Sequence, residues 1–142
     1  MRKPMIRVVL DTNVFISAVL KPRSNPGLIF KFIRDGRIEL IISPGILSEI
    51  ERVMLYPKLI KIHRLPPKAI TEFIDNLEAF SLVVKPTMTL EIIQDDLSDN
   101  IFLECAVAGS ADFIISGDHH LKDLEIYDGI EIVGPSTFLK IL

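Results

Sequence analysis

Val8-Val9-Leu10-Asp11-Thr12-Asn13-Val14-Phe15 decides how the rest of the chain is read. Residues 6–10 are a short apolar run with two β-branched valines, the pattern of a buried strand. The run ends in a carboxylate, and from Val14 onward apolar residues return at helical spacing through Leu20. The stretch therefore reads as strand, acidic turn, helix. In open α/β sheets ligands bind at the carboxyl ends of the strands, where Asp11 falls. A helix N-terminus beside it favours an ionised carboxylate. An aspartate here is also an ordinary helix cap, so Asp11 alone does not separate structure from chemistry. Other acids arriving at the same edge would.

Working outward, residues 21–27 form a loop in which Asn25-Pro26 offers a cap and a first-turn proline for a helix reaching Gly36. Residues 38–42 are a second strand. Ser43-Pro44 repeats the start signal for a helix through Leu55, with Ile46, Leu47, Ile50, Val53 and Met54 on one face. Tyr56-Pro57 ends that helix, a connection runs to Pro67, and residues 68–79 are helical. A third strand covers 81–85, and 88–94 is expected to be helical. Residues 95–100 lead into a helix over 101–108, apolar almost all round. A fourth strand at 113–116 is followed at once by Gly117-Asp118; a fifth lies at 131–133, and a short helix closes the chain. This alternation predicts a three-layer α/β fold: a mainly parallel central sheet of about five strands, with helices on both faces. At 142 residues the length suits a single domain.

With 49% hydrophobic and 25% charged residues, the composition is that of a globular protein and excludes a disordered chain. No apolar run approaches the ~18 residues of a membrane span. Arg7 and Asp11 interrupt any signal-peptide core, so a cytoplasmic location is expected. Cys105 is the single cysteine; it forms no internal disulfide and reads as a small core residue. Net charge is −3, but residues 1–68 hold 13 Lys/Arg against 5 Asp/Glu, and residues 69–142 hold 3 against 14. That asymmetry suits a metal-dependent enzyme with an anionic polymer substrate, and equally a protein that dimerises through opposite charges.

The acids can now be placed. Asp11 and Asp118 follow the first and fourth strands at the carboxyl edge. Crossover helices run antiparallel to the strands, so Asp99, in the first turn of the apolar helix, and Glu49, in the second turn of its helix, reach the same rim. Helical periodicity does not choose Glu49 over Glu51. Each acid alone could be a cap, a dipole partner or a turn residue; a shared rim makes four coincidences less economical than one site. Clustered carboxylates repel and call for a cation. Oxygen ligands point to Mg²⁺ or Mn²⁺. Zinc is disfavoured, because His119 and His120 are adjacent, His63 is distant and Cys105 is apolar in setting.

Four motifs in order resemble those of PIN domains: Val9–Phe15; Ser43-Pro44 with Ile46-Leu47-Ser48-Glu49-Ile50; Asp96-Leu97-Ser98-Asp99-Asn100 with Phe102-Leu103-Glu104-Cys105-Ala106; and Ala111–Asp118 with Leu121. The chain looks most like the VapC-type PIN toxins of prokaryotic toxin–antitoxin pairs. The resemblance implies Mg²⁺- or Mn²⁺-dependent cleavage of RNA, an antitoxin partner and a homodimer. It implies Asp11, Glu49, Asp99 and Asp118 as catalytic metal ligands, settles Glu49 over Glu51, adds Asp96 as a further acidic position, and gives Asn13 and Ser116 supporting roles. A housekeeping RNA-processing nuclease and a non-catalytic binding module are the alternatives. A receiver domain is a poorer match, since Asp11 stands without a paired acid.

Arg52, Lys58, Lys61, Arg64 and Lys68 occupy a stretch with no acid that begins on the helix of Glu49 and includes Tyr56 and His63. They are a candidate RNA-binding margin; the competing expectation is a solvated face with Ile60 and Ile62 packed beneath it.

Overall fold

The computed structural model describes residues 5–93 and 99–142. Strand β1 (Arg7–Leu10) passes through Asp11 into α1 (Thr12–Leu20), followed by α2 (Asn25–Arg34) and β2 (Glu39–Ile42). Next come α3 (Pro44–Met54), α4 (Pro57–His63), α5 (Pro67–Phe80) and the two-residue β3 (Leu82–Val83). Helix α6 (Asn100–Ala108) leads to β4 (Phe113–Ile115), α7 (His119–Lys122), β5 (Ile126–Tyr127), β6 (Ile130–Val133) and α8 (Pro135–Ile141).

The strands form one sheet in the order β3-β2-β1-β4-β6-β5, parallel throughout except for the β5–β6 pair. β1 lies centrally, with Val9 opposite Ile114 and Leu10 opposite Ile115. Val8, Val9 and Leu10 are fully buried, as expected of a strand covered on both sides, where the sequence runs apolar without alternation. Helix α6 packs on β1, β2 and β4, while α1 packs on α2 and α3, α3 on α5, and α2 on α8. The three-layer, mainly parallel architecture is the one expected, with six strands among the described residues in place of about five.

The additional strand has a simple cause. Asp128 and Gly129 both take positive φ (52° and 78°), the backbone of a tight hairpin turn, and they fold Ile126–Tyr127 back antiparallel onto β6. Three other expectations are corrected. The connection after α3 contains α4: Pro57 occupies its first turn, where a proline starts a helix as readily as it stops one. Of the helix expected over 88–94, residues 88–93 are not helical, and Gln94 lies outside the described residues. The backbone N–H of Leu90 donates to Glu104 Oε2 (2.8 Å), and those of Ile92 and Ile93 donate to Asn100 Oδ1 (3.0 and 2.9 Å), so α6 side chains take the donors a helix would need. Ser24, rather than Asn25, caps α2, accepting from the Gly27 N–H at 3.3 Å.

Gly27 sits hard against the loop before α2: a Cβ there would lie 2.1 Å from the Pro22 carbonyl oxygen, a backbone atom that cannot rotate away. Gly27→Ala is therefore expected to destabilise the protein by about 1–3 kcal/mol through overpacking, measured by urea denaturation. An unchanged midpoint would show that the 21–24 loop moves freely.

Candidate metal centre

Asp11 ends β1 and caps α1. Its Oδ1 accepts from the Val14 N–H at 2.9 Å, and its Oδ2 accepts from the Ser116 hydroxyl just past β4. Its own N–H donates to the Ile115 carbonyl at 3.1 Å. The carboxyl is buried, and that burial pushes its pKa above the ordinary 3.8, aided by the charge of Asp118; the hydrogen bonds from Ser116 and Val14 oppose the shift. Ser116 also accepts from the Asp118 N–H at 2.9 Å, so one hydroxyl spans the two acids.

The remaining acids meet Asp11 in one cleft of about 160 Å³, lined by Asp11, Thr12, Asn13, Glu49, Asp99 and Asp118, with Val53 and Phe102 as its apolar walls. Glu49 is oriented from two sides, by the Thr12 hydroxyl at 2.9 Å and by Arg52 at 3.4 Å. Asp99 occupies the position just before α6 and is buried. Asn100 next to it is pinned by its amide: besides accepting from Ile92 and Ile93, it donates to the Ile93 carbonyl at 2.9 Å. Asp118 caps α7, accepting from the His120 N–H at 2.7 Å. Asn13 is exposed at the lip, and Asp96 lies outside the described residues.

Among the described residues the tightest group of donor atoms is not the four acids together. Donor atoms of Asp99, Asp118 and His120 lie within 4.8 Å of one another; the two aspartates line the cleft with Asp11 and Glu49, and His120 stands against those aspartates without lining it. The donor set suits a divalent cation: carboxylate oxygens predominate, and repulsion among them is relieved by positive charge. His120 is the residue that reasoning from the sequence passed over. Its signal was its place two residues after Asp118, where a capped turn brings the ring back over the cap. Two other residues were also missed as supports, Thr12 and Asn100.

Of the basic residues, Arg52 is engaged: besides Glu49, it donates to the Tyr56 hydroxyl and its guanidinium lies 5.6 Å from that ring's centre. The five cations occupy a stretch with no acid, but Arg52 is paired with Glu49, just before that stretch. Lys58, Lys61, Arg64 and Lys68 are exposed and make no salt bridge among the described residues. Ile60 and Ile62 are exposed too, 37% and 57%, so they do not pack beneath a solvated face. His63 clamps α4 in place, its ring bonded to the Met54 carbonyl and the Leu65 N–H, both at 2.9 Å.

The PIN domain family profile matches residues 7–120. This chain belongs to the PIN domain family. PIN domains are generally metal-dependent nucleases, and the acidic cleft lies within the matched span. A relative, the uncharacterized protein MJ1680 of Methanocaldococcus jannaschii, is 36% identical over 124 residues, covering 87% of this chain and 78% of its own. Two solved structures share the fold at 12% identity. One is VapBC2 from Rickettsia felis, bound to a DNA fragment from its promoter (TM-score 0.58; 89% of this chain and 97% of that one). The other is PAE2754 from Pyrobaculum aerophilum (TM-score 0.60; 96% and 89%). No helix among the described residues is long and apolar enough to cross a membrane.

The buried Asp11 carboxyl has a consequence for stability without metal. With its folded pKa raised, the native state keeps a proton that the unfolded chain has released, so this group makes stability fall as pH rises from 3.8 through the raised value. Asp11→Asn is therefore expected to be more stable than the wild type at about pH 7.5 in EDTA, with the gain vanishing below about pH 4. Paired urea titrations at the two pH values check this. A gain independent of pH would mean that the ionised carboxylate carries no burial cost.

Proposed function

We propose that this PIN domain is a Mg²⁺- or Mn²⁺-dependent endoribonuclease, the toxin of a type II toxin–antitoxin pair, with an antitoxin protein as partner and a homodimer as its working form. The observation that carries the catalytic part is the convergence of Asp11, Glu49, Asp99 and Asp118, from four distant places in the chain, on one cleft. The toxin part is supported by the VapC-type motifs and by a fold shared with VapBC2.

In this reading Asp11, Glu49, Asp99 and Asp118 hold the cation, with Asp96 as a further candidate. When bound, the cation supplies a Lewis acid that lowers the pKa of water and offsets charge on the phosphate. The chain's own groups do the positioning. Ser116 and the Val14 N–H fix both oxygens of Asp11, so no side-chain reorganisation is needed at the moment of reaction. Thr12 and Arg52 hold Glu49 facing the cleft. Asn13, exposed at the lip of the cleft, donates in this reading to a phosphate oxygen.

Asp11→Asn, Glu49→Gln, Asp99→Asn and Asp118→Asn should each lower RNA cleavage by at least about a hundredfold with the fold intact. With Mn²⁺ at about 100 times its Kd, the wild type should gain about 2.7 kcal/mol of stability and Asp99→Asn less. Gel assays on total RNA and melting curves with Mn²⁺ or EDTA read both. Wild-type cleavage by Asp11→Asn would refute the assignment.

RNA approaches, in this reading, along Arg52, Lys58, Lys61, Arg64 and Lys68. Arg52 links the margin to the cleft through Glu49, and Tyr56, 42% exposed, is available for base stacking. Four exposed cations that make no salt bridge among the described residues offer phosphate contacts that release counterions. Replacing Lys58, Lys61 and Arg64 together by alanine, in an Asp11→Asn background, should reduce the log–log salt slope of RNA binding by about 0.7 per lost contact. Mn²⁺ affinity should not change. Superimposable salt plots would put the RNA elsewhere, along Lys21, Arg23 and Lys31.

A further inference from the structure

We infer that His120 is a nitrogen ligand of the metal centre, so that the site selects a first-row transition ion over Mg²⁺. The inference rests on the metal-dependent reading of the cleft and deepens it. His120 Nδ1 lies 3.6 Å from Asp118 Oδ1 and 3.9 Å from Asp99 Oδ2. Both separations exceed the range in which a proton is shared between nitrogen and oxygen. The Nδ1 atom is buried and has no hydrogen-bond partner among the described residues. A buried ring nitrogen thus faces two carboxylate oxygens at distances too long for a hydrogen bond, and the three donor atoms gather within 4.8 Å of one another.

A cation resolves this arrangement. Ligand atoms each about 2.1 Å from one ion lie about 3.0 Å apart when adjacent in an octahedron and about 4.2 Å apart when opposite. The two observed separations fall between these limits. The local fold holds the ring in place: Asp118 Oδ1 accepts the His120 N–H at 2.7 Å, which closes the turn, and His119 packs beside it with ring centres 4.1 Å apart. Mg²⁺ prefers oxygen ligands and retains its water, whereas imidazole raises affinity for transition ions in the order that begins with Mn²⁺. An aspartate pair plus imidazole thus tilts an otherwise hard, all-oxygen cleft toward Mn²⁺ and the ions beyond it.

The test uses Mn²⁺ itself as the probe. Pulsed electron paramagnetic resonance of the wild-type protein with one equivalent of Mn²⁺ should show ¹⁴N coupling, which requires no variant to fold. His120→Ala and His120→Asp should lose that coupling while still binding Mn²⁺ through the carboxylates. The ratio of Mn²⁺ to Mg²⁺ affinity, from competition titrations, should fall by about tenfold or more in both. Bound Mn²⁺ without nitrogen coupling, coupling that persists in His120→Ala, or an unchanged affinity ratio would each overturn the assignment and leave the carboxylate site standing. A wild-type protein that binds no Mn²⁺ would overturn the metal-dependent reading and this assignment with it.

Discussion

The Asp11 carboxylate, buried between the Val14 N–H and the Ser116 hydroxyl, is the contact on which the site depends. It joins the end of β1, the start of α1 and the end of β4 through one side chain. A carboxylate in that position is costly to ionise, and the fold accepts the cost where backbone donors and helix N-termini converge. Ser116 then passes the constraint on, because the same hydroxyl receives the Asp118 N–H. The spacing between the first and last acids is therefore set by the β1–β4 pairing and by a single serine. Flexible loops do not set it.

The other acids are fixed by comparable means. Glu49 is held by Thr12, the residue next to Asp11, so α1 positions an acid on α3 across 37 residues of sequence. Asp99 gains its place from Asn100, whose amide ties Ile92 and Ile93 to the head of α6. Each carboxylate has a neighbour whose hydrogen bonds settle where it stands. Support of this kind fixes where each side chain stands, so the fold brings like charges together at one cleft.

Much of this was legible in the sequence, for physical reasons. β1 and α6 bury most of their residues, so their apolar runs are unmistakable, and acids that follow a strand or open a helix fall on one edge by topology alone. What escaped was set by tertiary context or by ambiguous signals. Pro57 follows Tyr56 as a stop would, yet it occupies the first turn of α4. Residues 88–93 have helical composition, but Asn100 and Glu104 claim their backbone donors. Asp128-Gly129 is a strong hairpin signal between strands too short to show any periodicity. His120 was judged by its adjacency to His119, whereas the turn capped by Asp118 determines where the ring goes. Arg52 opens a stretch with no acid, yet Glu49, one helical turn before it, is its partner, a pairing that only the helical spacing of the two shows.

The most direct test of the account compares two titrations of the wild-type protein against free Mn²⁺, one of metal binding and one of the cleavage rate on single-stranded RNA. If the carboxylate cleft is the catalytic metal centre, the two curves share a midpoint and both collapse in Asp11→Asn. RNA cleavage that survives chelation, or Mn²⁺ binding that saturates without any cleavage, would contradict it.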